Sequence, residues 1–230
     1  MNFNDIFEEI KNSPDKHPRG CEDYKKIESK LLEVIKKSGF VSGGSGNDNY
    51  GPFGEISLPY FKMGAIDSLD LFGLDEMIIF SYYYNNRNRY NKVADIGANI
   101  GLHSILMSKS GYKVEAYEPD PKHIKIMEKN FKLNSVDSVN INQVAVSDVK
   151  NKTKFLRVLG NTTSSHIAGS KDNPYGDLET FDVDVVWSSI GREQHGRMRR
   201  VSAFSFGRRT PIHNSPLSPT MLKTSEGTTT

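Results

Sequence analysis

Two acidic residues and two glycines fall where they could together hold a small charged ligand. Asp95 lies in a short apolar run and precedes Gly97 and Gly101, and Glu118 ends the next apolar run. Glycines allow a tight turn and a close approach of the backbone to a ligand. If a helix begins after the second glycine, its first N–H groups attract negative charge. These four residues therefore predict a site for a ligand that carries both charges.

The charge of Asp95 decides which class of ligand suits this loop. Its carboxylate would repel the pyrophosphate of a dinucleotide, whereas S-adenosylmethionine offers an ammonium for Asp95 and a carboxylate for the helix N-terminus. We expect the N–H groups near Asn99 and Ile100 to face the ligand, and Glu118 to accept hydrogen bonds from both ribose hydroxyls. Glu118 alone does not discriminate, because dinucleotide enzymes place an acid at the same point. The competing interpretation is that Asp95 caps the helix and Glu118 ends a strand in solvent.

The elements around this loop are predicted from hydrophobic periodicity. An apolar run over 92–96 indicates a strand, and apolar residues at helical spacing follow from Leu102. A second strand is expected over 114–117, a second helix from Asp120, and a third strand over 139–146. Parallel strands joined by a helix form a βαβ unit. The predicted fold class is therefore α/β, with a doubly wound, Rossmann-like sheet.

The segment before this unit is predicted to be an appendage. Periodicity indicates helices over 22–37 and 74–87, while the Gly- and Ser-rich run 42–49 is typical of a loop. We therefore divide this part of the chain into an N-terminal helical and irregular appendage over 1–72 and an S-adenosylmethionine-binding α/β domain over 73–187.

Three features of this domain resemble the FkbM family of S-adenosylmethionine-dependent methyltransferases. They are the segment Asp95–Gly101, which reads DIGANIG, the segment Tyr117–Pro121, which reads YEPDP, and the pair Asn130 and Asn134. The resemblance implies a class I methyltransferase fold. It also implies transfer of a methyl group to a hydroxyl oxygen of a small-molecule or glycan acceptor, such as a sugar.

The resemblance assigns further residues to the cofactor. Glu76 matches an acid often found before the loop in this family, and Ala145 and Val146, followed closely by Asp148, fall where such folds line the adenine. The implied S-adenosylmethionine-binding residues are Glu76, Asp95, Gly97, Ala98, Asn99, Gly101, Glu118, Ala145 and Val146.

Residues 188–230 differ in type from the rest of the chain. Arginine outnumbers lysine six to one there, whereas lysine outnumbers arginine over 1–187. After the strand here represented by 181–187, the family continues into an Asp-x-Glu-Gly-x-Glu motif, which residues 188–230 lack. We expect this tail to be disordered and non-native, through a frameshift or a join to foreign sequence. The sheet is then expected to be incomplete beyond its third strand.

Four further polar residues could reach a bound acceptor. His103 could contact the cofactor or act as a general base, although a partly buried helix histidine with a satisfied hydrogen bond is the competing interpretation. Ser164, Ser165 and His166 lie where the resemblance places a loop near the active site. The scattered histidines and the single cysteine lack metal-ligand spacing, so no metal is predicted.

The composition argues against several classes of protein. The apolar runs are far shorter than the ~18 residues needed to cross a bilayer, and the N-terminus carries acids where a secretory signal needs a basic start. We therefore expect a cytoplasmic protein with no membrane partner. The arginines of 188–230 could neutralise phosphates, but no nucleic-acid-binding fold accompanies them, so no specific nucleic-acid partner is expected.

Two other functions stay open beside the methyltransferase. The missing motif favours a non-catalytic, cofactor-binding fragment. A nicotinamide-dependent oxidoreductase is disfavoured by Asp95, and by Asn99, which stands where a dinucleotide loop would have its middle glycine. The sequence indicates neither the catalytic base nor the oligomeric state.

Overall fold

The computed structural model of the 230-residue chain describes residues 1–12, 18–63, 67–147, 152–159, 165–170, 176–187 and 201–205. Its helices are α1 (Phe3–Lys11), α2 (Glu22–Lys37), α3 (Leu74–Asn85), α4 (Leu102–Lys109) and α5 (Pro121–Leu133). Its strands are β1 (Asn47–Asn49), β2 (Glu55–Ser57), β3 (Lys92–Ile96), β4 (Lys113–Tyr117), β5 (Val139–Asn142), β6 (Ala145–Ser147), β7 (Thr153–Val158), β8 (His166–Ile167), β9 (Leu178–Val183), β10 (Val185–Trp187) and β11 (Val201–Ser205).

A four-stranded parallel sheet in the order β11-β3-β4-β5 forms the centre of the described fold. Ile96 pairs with Tyr117 across β3 and β4, so the loop after β3 and Glu118 leave the sheet at the same edge. The crossovers from β3 to β4 and from β4 to β5 each contain one helix. Since right-handed crossovers that run in one direction along a sheet place their helices on one face, we expect α4 and α5 on the same face. The predicted α/β fold with a Rossmann-like parallel sheet is confirmed.

The local signals for helix ends act as the sequence predicts. α2 has the predicted bounds, and α5 begins at Pro121 with the Asp120 side chain accepting a hydrogen bond from the N–H of Lys122. α3 ends at Asn85, two residues before the predicted end, and its C-cap Asn86 donates a side-chain hydrogen bond to the carbonyl of Tyr82. None of the described helices combines the length and hydropathy that a bilayer crossing requires.

The predicted third strand over 139–146 is wrong in extent, because it is two strands in two different sheets. β5 belongs to the central sheet, whereas β6 pairs in parallel with β10. A tight turn separates them, in which the N–H of Val144 donates to the carbonyl of Asn142 over 2.9 Å. The strand expected over 181–187 is likewise divided into β9 and β10 at Asp184, whose carbonyl accepts the N–H of Ala145.

A strand from the tail lies beside β3, which differs from the expectation of a disordered tail and an incomplete sheet. Val201–Ser205 pairs in parallel with β3, from Val201 opposite Lys92 to Ser205 opposite Ile96. The physical reason is that the outer edge of β3 offers unpaired backbone groups, and a segment containing Val201 and Phe204 suits an extended conformation. The remainder of 188–230 lies outside the described residues, so its origin stays a prediction.

A small antiparallel sheet follows the central one in the chain. β7 pairs with β8 on one side and with β9 on the other, from Thr153 opposite Val183 to Val158 opposite Leu178. Ala145, Phe155 and Val183 form a second buried cluster between this ribbon and the end of β6. The ribbon therefore has a core of its own, which is separate from that of the central sheet.

Described residues of the N-terminal segment share one core with the central sheet. Phe3, Tyr50 and Phe72 are buried in the same cluster as Val93 and residues of α4 and α5. A second tie is polar: Asn134 accepts the N–H of Ser57 over 2.8 Å and donates to its carbonyl over 2.7 Å. Described residues of the N-terminal segment therefore contribute to the core of the central sheet, and the domain boundary at residue 72 stays a prediction.

Candidate ligand site at the glycine loop

The loop between β3 and α4 is fastened to the end of β4. Gly97 and Ala98 both donate their N–H groups to the carbonyl of Tyr117, over 2.9 and 3.1 Å. Three residues of the loop have left-handed backbone conformations, with φ of 78° at Gly97, 52° at Asn99 and 89° at Gly101. Such a conformation is costly for most side chains but open to glycine and tolerated by asparagine. The loop therefore depends on these residue types at these positions.

The two glycines have different functions, although the sequence predicts the same one for both. A Cβ at Gly97 would meet nothing within 4 Å, so this residue leaves an open face beside the loop. A Cβ at Gly101 would lie 2.7 Å from both Cγ of Met127 and Cε1 of Phe131. Gly101 therefore allows α5 to pack against the loop. The contact of either glycine with a ligand stays a prediction.

Asp95 is a buried carboxylate with only one oxygen in a hydrogen bond. It is 1% exposed, and its Oδ2 accepts a 2.6 Å hydrogen bond from the hydroxyl of Ser104 on α4. Its Oδ1 has no partner among the described residues. Burial raises the pKa of Asp95, while the nearby His103 and the Ser104 hydrogen bond act in the opposite direction. An ammonium group at Oδ1 would supply the missing partner.

Glu118 holds the loop from the end of the neighbouring strand. It is 5% exposed, its Oε2 accepts the N–H of Asn99 over 2.9 Å, and its Oε1 accepts the N–H of Asp120 over 3.0 Å. The expectation that the N–H of Asn99 faces the ligand is therefore wrong, because this donor is used within the protein. A carboxylate has about four acceptor positions, so about two remain on Glu118 for hydroxyl donors.

Asn99 and Ala98 are mostly turned into the protein. Ala98 is buried, and the side-chain amide of Asn99 lies 3.5 Å from Sδ of Met63, which belongs to the N-terminal segment. Oδ1 of Asn99 is buried and has no hydrogen bond within the part of the chain that the structure describes. Asn130 on α5 donates to the carbonyl of Ile100 over 2.8 Å. The resemblance residue Asn130 thus supports the backbone of the loop.

Glu76 and His103 form a pair on the neighbouring helices α3 and α4. Nε2 of His103 lies 3.3 Å from Oε2 of Glu76, and its Nδ1 lies 3.0 Å from the hydroxyl of Tyr83. The ring also packs against Phe80, with centroids 5.0 Å apart. His103 therefore has the satisfied, partly buried environment of the competing interpretation. Glu76 is brought to His103, and its contact with a cofactor stays a prediction.

The remaining predicted residues are less closely associated with the loop. Ala145 is buried in the second core, and Val146 is half-buried beside it on β6. Ser165 accepts the N–H of Val158 through its hydroxyl over 3.2 Å, and His166 is buried in β8. Asp148 and Ser164 lie outside the described residues. The described contacts do not join Ala145 or Val146 to Glu118.

Two residues next to Glu118 are missed by the sequence interpretation. Arg157 on β7 is buried and binds the carboxylate of Asp120. His123 on α5 is also buried, with Nδ1 3.5 Å from Oε1 of Glu118 and without a hydrogen bond to any described residue. A signal for Arg157 exists, since it falls two residues after the buried Phe155 and therefore on the inward face of its strand. His123 gives no such signal.

Comparison with known proteins yields partial structural likenesses. No protein-family model and no curated protein matches the chain. A methyltransferase from Agrobacterium tumefaciens, described as dependent on S-adenosylmethionine, matches with 16% identity over 31% of this chain and 24% of its own, at a TM-score of 0.30. A precorrin-6y C5,15-methyltransferase from Geobacter metallireducens matches with 17% identity over 31% of this chain and 40% of its own chain, at a TM-score of 0.27.

A third solved structure covers a larger share of both chains. It is a putative RNA methyltransferase from Pyrococcus horikoshii, with 17% identity over 54% of this chain and 55% of its own, at a TM-score of 0.28. The chain thus spans less than two thirds of the length of each of these three structures. All three are named as methyltransferases.

Proposed function

We propose that this chain is a class I methyltransferase of the FkbM type, which binds S-adenosylmethionine at the glycine loop. The observation that carries the proposal is Oδ1 of Asp95, a buried carboxylate oxygen without a hydrogen-bond partner among the described residues, at the start of a loop that has open space at Gly97. Leaving such an atom without a partner costs free energy. A ligand ammonium at this point would restore a charge-assisted hydrogen bond.

The remaining parts of the site suit the other groups of the same ligand. The two acceptor positions left on Glu118 match the two hydroxyls of a ribose. The first turn of α4, which begins at Leu102 and has no side-chain cap, presents the positive end of the helix dipole and favours a carboxylate. The positions of these groups are set by the backbone, so the site is largely formed before a ligand binds.

The methyl transfer requires little chemistry from the protein. When bound, S-adenosylmethionine supplies an electrophilic methyl group, which a hydroxyl oxygen of a small-molecule or glycan acceptor attacks in line. The chain's own contribution is to orient the two reactants through Asp95, Glu118 and α4. A general base must also take the hydroxyl proton, and no residue is assigned to that role.

A non-catalytic, cofactor-binding fragment is the second candidate function. It is favoured by the absence of an Asp-x-Glu-Gly-x-Glu motif from residues 188–230. The two candidates share the ligand site and differ only in turnover. A nicotinamide-dependent oxidoreductase fits less well, because Asp95 places a carboxylate at the loop that would receive a pyrophosphate, and Asn99 stands where a dinucleotide loop would have its middle glycine.

Calorimetric titration with S-adenosylhomocysteine tests the proposed ligand. We expect the wild-type chain to bind it and NAD to compete poorly. Asp95→Ala and Glu118→Ala should each weaken binding by about 1.5 to 3 kcal/mol, the range for hydrogen bonds to charged groups. Glu128→Ala, at an exposed acid on α5, is the matched control and should bind as wild type does. Unchanged affinity in both site variants would remove the assignment, and methyl transfer to an acceptor would distinguish the enzyme from the fragment.

A further inference from the structure

A continuous chain of hydrogen bonds runs from the β7–β9 ribbon to the glycine loop. Arg157 on β7 binds the carboxylate of Asp120, the N–H of Asp120 donates to Glu118, and Glu118 accepts the N–H of Asn99. The four residues come from β7, the start of α5, the end of β4 and the glycine loop. The ribbon is thus connected to the proposed cofactor site by a path of polar contacts.

The first link is a buried two-point ion pair. Nε of Arg157 donates to Oδ2 of Asp120 over 2.6 Å and Nη2 donates to Oδ1 over 2.5 Å, with the two side chains 4% and 0% exposed. The remaining guanidinium nitrogen, Nη1, donates to Glu179 on β9 over 2.6 Å. The guanidinium carbon lies 4.7 Å from the ring centroid of Phe181. The guanidinium of Arg157 is planar and all three of its nitrogens donate hydrogen bonds, so it fixes Asp120 in both position and orientation.

Asp120 transmits this restraint to Glu118. Its Oδ1 also caps α5 through the N–H of Lys122, and its own N–H is the donor to Oε1 of Glu118. A change in the position of Asp120 would therefore shift one of the two hydrogen bonds that orient the Glu118 carboxylate. The other, from Asn99, would be left to hold it alone.

We propose that Arg157 is a positioning residue for Glu118, which acts through Asp120 and aims the carboxylate at the ribose hydroxyls of the methyl donor. This inference rests on the proposed function. Its consequence is specific: loss of the Arg157 fork should impair recognition of the ribose more than recognition of the rest of the ligand.

The test compares S-adenosylhomocysteine with its 2′-deoxyadenosyl analogue, which lacks one ribose hydroxyl. In the wild-type chain the natural ligand should bind about tenfold more tightly or better, as expected for one hydrogen bond to a charged group. Arg157→Lys keeps the charge but loses the fork, and this ratio should fall toward one. A merely structural role for Arg157 would weaken both ligands equally and leave the ratio unchanged, which would overturn the inference.

A matched control removes a different partner of Arg157. Glu179→Gln lies at the exposed end of the ion pair, with a side chain 46% exposed, and leaves the path to Glu118 intact. Its ligand ratio should equal that of the wild type. A ratio lowered as much as in Arg157→Lys would show that the effect does not run through Asp120.

A second measurement needs no ligand and separates this inference from the proposed function. Hydrogen exchange should become faster in the peptide over 95–101 of Arg157→Lys, while the peptide over 3–11 is unchanged, because the N–H of Asn99 depends on Glu118. Failure of the wild-type chain to bind either ligand would overturn the proposed function, and exchange would then decide the connection by itself. Unchanged exchange over 95–101 would overturn the positioning role in either case.

Discussion

The N–H of Asn99 donates a 2.9 Å hydrogen bond to Oε2 of Glu118, which joins the glycine loop to the end of the neighbouring strand. Asn99 can offer this N–H because its backbone is left-handed, with φ of 52°. The two halves of the proposed site are therefore held together before any ligand binds. A change at either residue should disturb the other.

Asp95→Asn should raise stability and weaken binding at neutral pH. The pKa of Asp95 is raised above its ordinary value of 3.8, so the folded state favours the neutral carboxyl. The stability that this neutral form contributes is fully present below pH 3.8 and is lost as the pH rises through the folded-state pKa. The amide keeps the acceptor for Ser104 but carries no charge. Thermal melts should show a higher Tm than wild type at pH 7 and a difference that vanishes in acid. A lower Tm at pH 7 would contradict the prediction.

Alanine at Gly101 should mainly lower stability, whereas alanine at Gly97 should mainly weaken ligand binding. Gly101→Ala combines left-handed strain with overlap against Met127 and Phe131, so the free energy of unfolding should fall by about 2 to 4 kcal/mol. Gly97→Ala introduces only left-handed strain, so the free energy of unfolding should fall by about 1 to 2 kcal/mol. Its methyl group would occupy the open face of the loop, so binding of S-adenosylhomocysteine should weaken. Urea denaturation measures the first effect and S-adenosylhomocysteine titration the second. Equal stability of both variants would contradict the packing role of Gly101.

The buried pair of Asp120 and Arg157 should make the fold sensitive to acid. Burial acts to raise the pKa of Asp120, but the hydrogen bonds and charge of Arg157, the nearby His123 and the N–H of Lys122 together outweigh it and hold this pKa below its ordinary value. The stability that the ionised Asp120 contributes is therefore present at pH values above its unfolded-state pKa and is lost as the pH falls through its folded-state pKa. Asp120→Asn should lower the free energy of unfolding by about 3 to 5 kcal/mol at pH 7, because the buried Arg157 loses its buried carboxylate partner and keeps only the exposed Glu179 among the described residues. In urea denaturation, the difference in the free energy of unfolding between this variant and the wild type should become smaller toward low pH. A difference that does not change with pH would argue against the ion pair.

Asn134→Ala should loosen the N-terminal segment. It removes both hydrogen bonds to the backbone of Ser57, and we expect the free energy of unfolding to fall by about 1 to 3 kcal/mol. Faster proteolysis over 42–49 should accompany this loss. Asn140→Ala, at an exposed asparagine bonded to Glu115, is the control and should change stability little. The same proteolysis rate in both variants would show that Asn134 is not the tie.

Removal of residues 188–230 tests the strand beside β3. Without Val201–Ser205, the outer edge of β3 has an unpaired backbone, so the shortened chain should melt at a lower temperature and self-associate more. Light scattering and thermal melts measure the two effects. An unchanged melt and a monodisperse sample would mean that the tail adds no strand, as expected for foreign or frameshifted sequence.

The local elements of the site are determined by the sequence itself. The strand over 92–96, the helix cap at Asp120-Pro121 and the glycine turn are set by apolar spacing and by the backbone preferences of single residues, which act over a few positions. Parallel pairing of strands joined by a helix then places Asp95 and Glu118 at one edge of the sheet. For this reason the fold class and the placement of Asp95 and Glu118 at one edge of the sheet could be predicted without a structure.

The tertiary structure alone decided which donors and faces the site retains. Gly101 packs under α5, the N–H of Asn99 is taken by Glu118, and Arg157 reaches Asp120 from a ribbon 37 positions away in the chain. Such contacts join residues that have no local pattern in common, and their energies depend on burial and exact approach. The same reason explains why the N-terminal segment, interpreted as an appendage, is part of the core: only the packed chain shows that Phe3 and Val93 share it.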